Sequence, residues 1–561
     1  MSAPEHFDAV IVGSGFGGSV MAYRLAEAGR RVCVLERGKA FPPGSYPRSP
    51  AGLANNFWDP NDGKYGMFNL WSFRGLEALV ASGLGGGSLI YANVLIRKDE
   101  RWFVNDLQNG GYESWALTRK DLDPYYDRAE AMMGVQKYPF DVEPYASTPK
   151  TKAMRDAARR LNLDWMLPPL AVTFGNPGET PTPGVPVKEQ IPNLHNKARV
   201  TCQLCGECDV GCNYGSKNSL DFTYLTAAHH HGAELRTLCE VETFAPKPGG
   251  GFTITYVQHN LDYAGTKLDR SRLPRITVTA DRLILAAGTL GTTYLLLKNK
   301  DAFPALSKAL GTRFCGNGDL LTFAVKCQDT KNGVERPRVL DPNFGPVITS
   351  AIRYPDAQDD AGVAGDRGFY IEDAGYPAFL SWLVQMSDSP GMVKRSARFL
   401  WSRVKAKLTG DPESDLGAEV SAILGDCGVS SGSLPLLGMG RDIPNGKMML
   451  SDGWLDIDWK IDESYTYFKR VRKEMKRLTK EFGGDFADNI IWYLKRVITV
   501  HPLGGCPMGA HPGEGVVGTD GQVFNVPGLY VADGSVMPGP VGPNPSLTIA
   551  ALAERFADRM V

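Results

Sequence analysis

Phe7-Asp8-Ala9-Val10-Ile11-Val12-Gly13-Ser14-Gly15-Phe16-Gly17-Gly18 stands near the start of the chain and decides its fold. Residues 7–12 are rich in β-formers and alternate little, as a parallel strand buried on both faces requires. Gly13, Gly15 and Gly18 then fall in a GxGxxG pattern. Residues 19–28 carry Val20, Tyr23 and Leu25 among their apolar positions and meet a stop at Gly29, which predicts a helix. Arg31 to Leu35 predicts a second strand, and Glu36 ends it 18 residues after Gly18. Strand, glycine turn, helix, strand and acid together form a dinucleotide cradle. Gly13 allows the turn, Gly15 lets backbone approach a pyrophosphate, and Gly18 lets helix pack on strand. The helix start offers free N–H groups and a partial positive charge to phosphate. Glu36 is placed to accept from ribose hydroxyls. The bland alternative is a glycine-rich turn in an ordinary α/β protein.

The rest of the chain sets outer bounds. Its 561 residues allow two to four domains and a large core. A formal net charge of -1 gives no electrostatic case for nucleic acid. Residues 1–6 are short and polar, so no signal peptide is expected, and no window nears 18 unbroken apolar residues. A cytoplasmic enzyme is the expectation. Ten cysteines are too few for a disulfide scaffold at this length.

Two further stretches carry chemistry. Ser82-Gly83-Leu84-Gly85-Gly86-Gly87-Ser88-Leu89, followed by Ile90-Tyr91-Ala92-Asn93, is bare backbone suited to lying against a flat ring or a phosphate. Near the other end stand Val500-His501-Pro502-Leu503-Gly504-Gly505-Cys506, Ala532-Asp533-Gly534-Ser535 and Gly542-Pro543-Asn544-Pro545-Ser546. Pro545 suits a first helical position, which would make Asn544 the N-cap of a helix over 546–560.

With these motifs the chain resembles the glucose–methanol–choline (GMC) family of FAD-dependent alcohol oxidoreductases, in particular its cholesterol-oxidase-like bacterial branch. The resemblance implies an α/β fold, α+β overall. It has a discontinuous Rossmann-like FAD-binding domain (1–96, 197–319 and 491–561) and a substrate domain on an antiparallel sheet (97–196 and 320–490). It implies FAD at Gly13, Gly15, Phe16, Gly17, Gly18, Glu36, Gly85, Gly86, Gly87, Ser88, Asn93, Val241, Asp533, Gly534, Asn544, Pro545 and Ser546. No histidine stands in 82–93, so the FAD is expected to be non-covalent. His501 aligns with the family's active-site histidine, and neutral imidazole suits proton removal from an alcohol near pH 7. Asn544 would face the substrate oxygen. The helix start beside it would favour negative charge on reduced flavin. Phe369-Tyr370-Ile371-Glu372 resembles a strand end that presents a glutamate to substrate, and an exposed strand-end carboxylate explains Glu372 as well.

Cys202, Cys205, Cys208 and Cys212 form C-x2-C-x2-C-x3-C, the spacing of ferredoxin ligands. Asn213 follows where ferredoxins usually have proline, and there is no second cysteine run. An iron–sulfur cluster (3Fe-4S or 4Fe-4S), a structural role and zinc all stay open. A cluster would give reduced FAD an electron exit to a redox partner protein; without one, oxygen is the expected acceptor. His229, His230 and His231 read as a surface helix end.

Short β-like runs at 347–353, 369–372, 447–450 and 454–459 predict a sheet roofing the cofactor. Val393, Ala397, Leu400, Trp401, Val404 and Leu408 mark one helix face, with Lys394, Arg395, Arg398, Arg403, Lys405 and Lys407 around it. Such a stretch suits a lid, a peripheral membrane contact or a half-buried helix. The expected reaction is oxidation of a small-molecule alcohol, with a bulky hydrophobic secondary alcohol such as a sterol leading and a sugar or aromatic alcohol behind it. An electron-transferring flavoprotein subunit is the reading from another class.

Overall fold

The computed structural model describes residues 4–106, 112–331, 333–377 and 432–561. The basic stretch 393–408 lies outside the described residues.

A seven-stranded sheet forms the dinucleotide half. Glu5–Val12 is central and pairs in parallel with Val32–Leu35 on one side and Arg275–Leu285 on the other. Glu234–Arg236 extends the parallel edge beside Val32–Leu35. Arg275–Leu285 is long enough to serve two partners. Its first half pairs antiparallel with Phe252–Gln258, and its last three residues pair in parallel with Leu529–Val531. The N-terminal, middle and C-terminal segments therefore meet in one sheet. Val10 and Ile11 are fully buried, in keeping with a strand covered on both faces.

The helix after the glycine turn spans Phe16–Glu27, three residues earlier than the apolar pattern indicates. The glycine-rich start is itself helical, so the first N–H groups of the helix belong to the motif. The stretch 234–246 forms two strands, Glu234–Arg236 and Cys239–Pro246. Leu238 takes a left-handed φ of 60° and breaks it, and Cys239–Pro246 turns to pair with Phe252–Gln258.

A second sheet of six antiparallel strands runs in the order Asp164–Met166, Ala351–Tyr354, Phe369–Asp373, Leu434–Gly440, Leu320–Val325, Asp485–Asp488. The amphipathic helix Tyr465–Glu481 covers one face with Val471, Met475 and Leu478. Phe369 and Ile371 point into that covered core. Alternation then turns Tyr370 and Glu372 to the opposite face. The runs at 447–451 and 454–458 form a separate hairpin and do not join this sheet. His230 ends the helix Tyr224–His230 at the surface, as expected.

Candidate active site

The glycine motif is fitted to its neighbours in an uneven way. Gly13 has φ 98°, and a Cβ there would lie 2.4 Å from the Ala286 carbonyl oxygen. A Cβ on Gly17 would lie 1.4 Å from the Ala532 carbonyl oxygen, and one on Gly18 would meet the Gly13 oxygen at 2.1 Å. These three glycines let the helix press on the sheet and on the C-terminal segment. Gly15 differs. Its φ of -69° and ψ of -167° suit any residue, and a Cβ there would meet nothing within 4 Å. Nothing in the described protein requires glycine at 15, and the helix it precedes has no side-chain cap. An open face beside uncapped N–H groups fits a pyrophosphate.

The second glycine loop lies over the first. A Cβ on Gly86 would come 2.6 Å from the Gly15 Cα. Ser14 ties the loops: Gly85 N–H donates to its Oγ (3.0 Å), and Ser14 N–H and Oγ–H donate to Glu36 Oε2 (3.0 and 2.6 Å). Glu36 also accepts from Gly38 N–H at 2.9 Å. The chain at Leu238–Cys239 bonds to the backbone beside Glu36, which brings the strand bearing Val241 to the edge of this cradle. Asp533 is buried and accepts from Ser535 and Thr292, so its carboxylate braces the turn at Gly534. Burial pushes its carboxyl above the usual range.

His501 follows the short strand Val497–Thr499 and is mostly buried, with 15% of its side chain exposed. Its Nδ1 lies 2.8 Å from Asp319 Oδ1. Asp319 Oδ2 accepts from Val500 N–H (2.8 Å), His501 N–H (3.1 Å) and Thr499 Oγ–H (2.9 Å). The loop before the last helix is held from the same place. Asn317 Oδ1 accepts from Val541 and Gly542 N–H (2.9 and 3.0 Å), and its amide donates to the Pro543 carbonyl at 3.0 Å. One four-residue segment, Gly316-Asn317-Gly318-Asp319, thus fixes both the His501 turn and the Asn544 turn. Sequence reasoning missed this segment. The signal available was a polar pair set between glycines, with Asn317 (φ 53°) and Gly318 (φ 66°) both left-handed.

Asn544 is not the helix cap. The N-cap of Ser546–Met560 is Pro545, with no side-chain cap bond. The Asn544 amide instead donates to Glu372 Oε2 at 3.5 Å. Nor is Glu372 an exposed carboxylate: it is fully buried, and burial pushes its pKa up to about 8. Asn544 Oδ1 and Glu372 Oε1 have no hydrogen-bond partner among the described residues. Two buried polar atoms left open on adjoining side chains mark a polar ligand position.

Cys202, Cys205, Cys208 and Cys212 line one small cavity with Lys217, and all four are free thiols. Burial pushes the Cys202, Cys205 and Cys208 thiols up, and their neighbouring thiols add to it. Among the described residues no group of three or more His, Cys, Asp or Glu side chains is arranged to hold a metal ion. The spacing brings the sulfurs to one cavity without setting them as a ligand cage. Lys217 Nζ donates to the carbonyls of Leu89 (3.0 Å), Tyr91 (2.8 Å) and Cys208 (2.8 Å). It joins the cysteine loop to the second glycine loop. Asn93, with φ 69°, lies beside the Cys208 thiol.

A Rossmann-type cradle joined to an antiparallel sheet that carries a buried glutamate defines a dinucleotide-dependent oxidoreductase. The comparisons with known proteins agree. Residues 8–148 match the model for FAD-dependent oxidoreductases, and 186–300 and 460–553 match the N- and C-terminal models of GMC oxidoreductases. Cholesterol oxidase of Mycobacterium tuberculosis is 31% identical, covering 98% of this chain and 90% of its own. Cholesterol oxidase of Acinetobacter baumannii is 27% identical over 98% of this chain and 93% of its own. A long-chain-alcohol oxidase of Arabidopsis thaliana is 22% identical over 99% of this chain and 67% of its own. Among solved structures, pyridoxine 4-oxidase from Mesorbium loti shares the fold, with TM-score 0.56 at 16% identity and 98% coverage of both chains. The chain belongs to the GMC oxidoreductase family and is an FAD-dependent enzyme acting on CH–OH donors.

Proposed function

We propose that this chain oxidises a bulky hydrophobic secondary alcohol, a sterol first among them, with His501 as the base that takes the hydroxyl proton. FAD, held by the glycine cradle, supplies the hydride acceptor. Nδ1 of His501 is engaged by Asp319, which leaves Nε2 to accept the substrate proton. Asn544 and Glu372 offer open polar atoms for the substrate oxygen. With its pKa raised to about 8, Glu372 is a neutral acid at pH 7 and can donate a hydrogen bond. The observation that carries this reading is the segment 316–319, which holds the His501 and Asn544 turns together. Residues 1–96, 197–319 and 491–561 would bind the cofactor, and 97–196 with 320–490 would shape the substrate pocket.

The cholesterol oxidase relatives support a sterol, and the long-chain-alcohol oxidase supports a greasy alcohol more broadly. Their names also support oxygen as acceptor. The test is anaerobic flavin reduction with cholesterol, benzyl alcohol and glucose in parallel. We expect the rate constant for cholesterol to exceed the others at least tenfold. Equal rates for all three would overturn the sterol reading.

We read the cysteine loop as a support for the second glycine loop, because its sulfurs line one cavity without forming a ligand cage among the described residues. Lys217 makes that tie, donating to carbonyls of both loops. Iron and acid-labile sulfide are measured on anaerobically purified protein. Flavin without iron supports the structural role, and stoichiometric iron and sulfide would overturn it. Contact of 393–408 with a membrane would show as co-sedimentation with lipid vesicles that is lost when its basic residues are neutralised.

A further inference from the structure

We infer that Asp319 is the positioning residue that fixes the tautomer of His501, keeping the proton on Nδ1 and leaving Nε2 as the acceptor that faces substrate. This rests on His501 being the base. The geometry is one-sided. The Asp319 carboxylate accepts from the amides of Val500 and His501 and from the Thr499 hydroxyl, and its remaining partner is the imidazole Nδ1. A carboxylate cannot donate, so the ring nitrogen facing it must carry the hydrogen. All four contacts come from the backbone or side chains of residues 499–501, so the acid sets ring position as well as tautomer. Its side chain is only 2% exposed, which keeps water from substituting for it.

The arrangement extends through the protein rather than ending at one pair. Asp319 sits one residue before the strand Leu320–Val325, anchored in the six-stranded sheet. Cys315, on the other side, pairs with Leu503 through both backbone bonds at 3.0 Å, just beyond His501. Asp442 accepts from the Gly316 amide at 3.0 Å and braces the same segment. The base is thereby referred to the substrate sheet, although its own strand runs beside another part of the chain. The titratable groups that face Asp319 are His501, Glu372 from Phe369–Asp373, Asp442 after Leu434–Gly440, and Tyr467 from the covering helix. Of these, His501 is the basic one.

Asp319→Asn is the informative change, because an amide of the same shape can turn its NH2 group toward Nδ1. That places the hydrogen on Nε2 and blocks the base. We expect flavin reduction by alcohol to slow ~100-fold or more, with KM changed less than threefold and bound FAD unchanged. Asp319→Glu should recover part of the rate. Wild-type holoenzyme labelled with 15N-histidine provides a reading that needs no folded Asp319 variant. The His501 signals, identified by their loss in His501→Asn, should report hydrogen on Nδ1 of the neutral ring. Hydrogen on Nε2 in the wild type, or full reduction rates in Asp319→Asn, would overturn the inference. Full turnover in His501→Asn would overturn the base assignment instead, so the two failures are distinguishable.

Discussion

At the residue scale, Gly15 and Gly17 make opposite predictions from the same motif. A side chain at 17 collides with the Ala532 carbonyl, so Gly17→Ala should be insoluble or at least ~3 kcal/mol less stable in denaturant unfolding. A side chain at 15 meets open space. Gly15→Ala should keep the apoprotein's melting temperature within a degree or two while FAD affinity falls roughly tenfold or more, read by flavin fluorescence on titration. The glycines were legible in the sequence as a pattern, but which of them serve the fold and which the ligand was not. That division depends on Ala286 and Ala532, which are hundreds of residues away. Glu372 shows the same limit: nothing nearby in sequence tells whether a strand-end carboxylate is exposed or buried against Asn544.

At the scale of elements, the first strand, its helix and the second strand were legible because their signals are local: apolar runs, glycine stops and an acid at fixed spacing. The breaks came where a distant partner overrules a local preference. Asn544 reads as a cap before a helix, yet its amide turns to Glu372 and Pro545 takes the cap position. The segment 316–319 went unread because its function lies in which two turns it grips. This leads to a prediction about that segment. Asn317→Gly keeps the left-handed backbone and removes the side-chain bonds to 541–543. FAD should stay bound, while kcat falls roughly tenfold, since a loosened Asn544 turn no longer places the substrate oxygen. Unchanged kcat would show that the turn holds its place without Asn317.

At the scale of the molecule, two buried acids tie stability to pH. Burial raises Glu372 from 4.5 to about 8 and Asp442 from 3.8 to about 7. Between their unfolded and folded pKa values the folded state binds more protons than the unfolded. Their contribution is therefore fully present below about pH 4, falls progressively as pH rises above it, and is fully lost once pH has passed 7 and 8. Melting temperature should decline over that window, and the double variant Glu372→Gln with Asp442→Asn should flatten the decline, a difference on the order of a few kcal/mol by pH 8. A decline just as steep in the double variant would place its origin elsewhere. The joining of three chain segments in one sheet was legible through the matching ends of the chain. The linkage of the cysteine loop to the second glycine loop through Lys217 was not, because a lysine bonding to backbone carbonyls leaves no spacing to read.

The central claim is that His501 takes a proton from an alcohol while FAD takes the hydride. Its most direct test is anaerobic stopped-flow reduction of the bound flavin by cholesterol, comparing wild type with His501→Asn at equal FAD content. The account predicts that bleaching of the oxidised flavin slows at least ~100-fold in the variant, with the residual rate rising with pH as solvent takes over proton removal. Bleaching at the wild-type rate in the variant would contradict it.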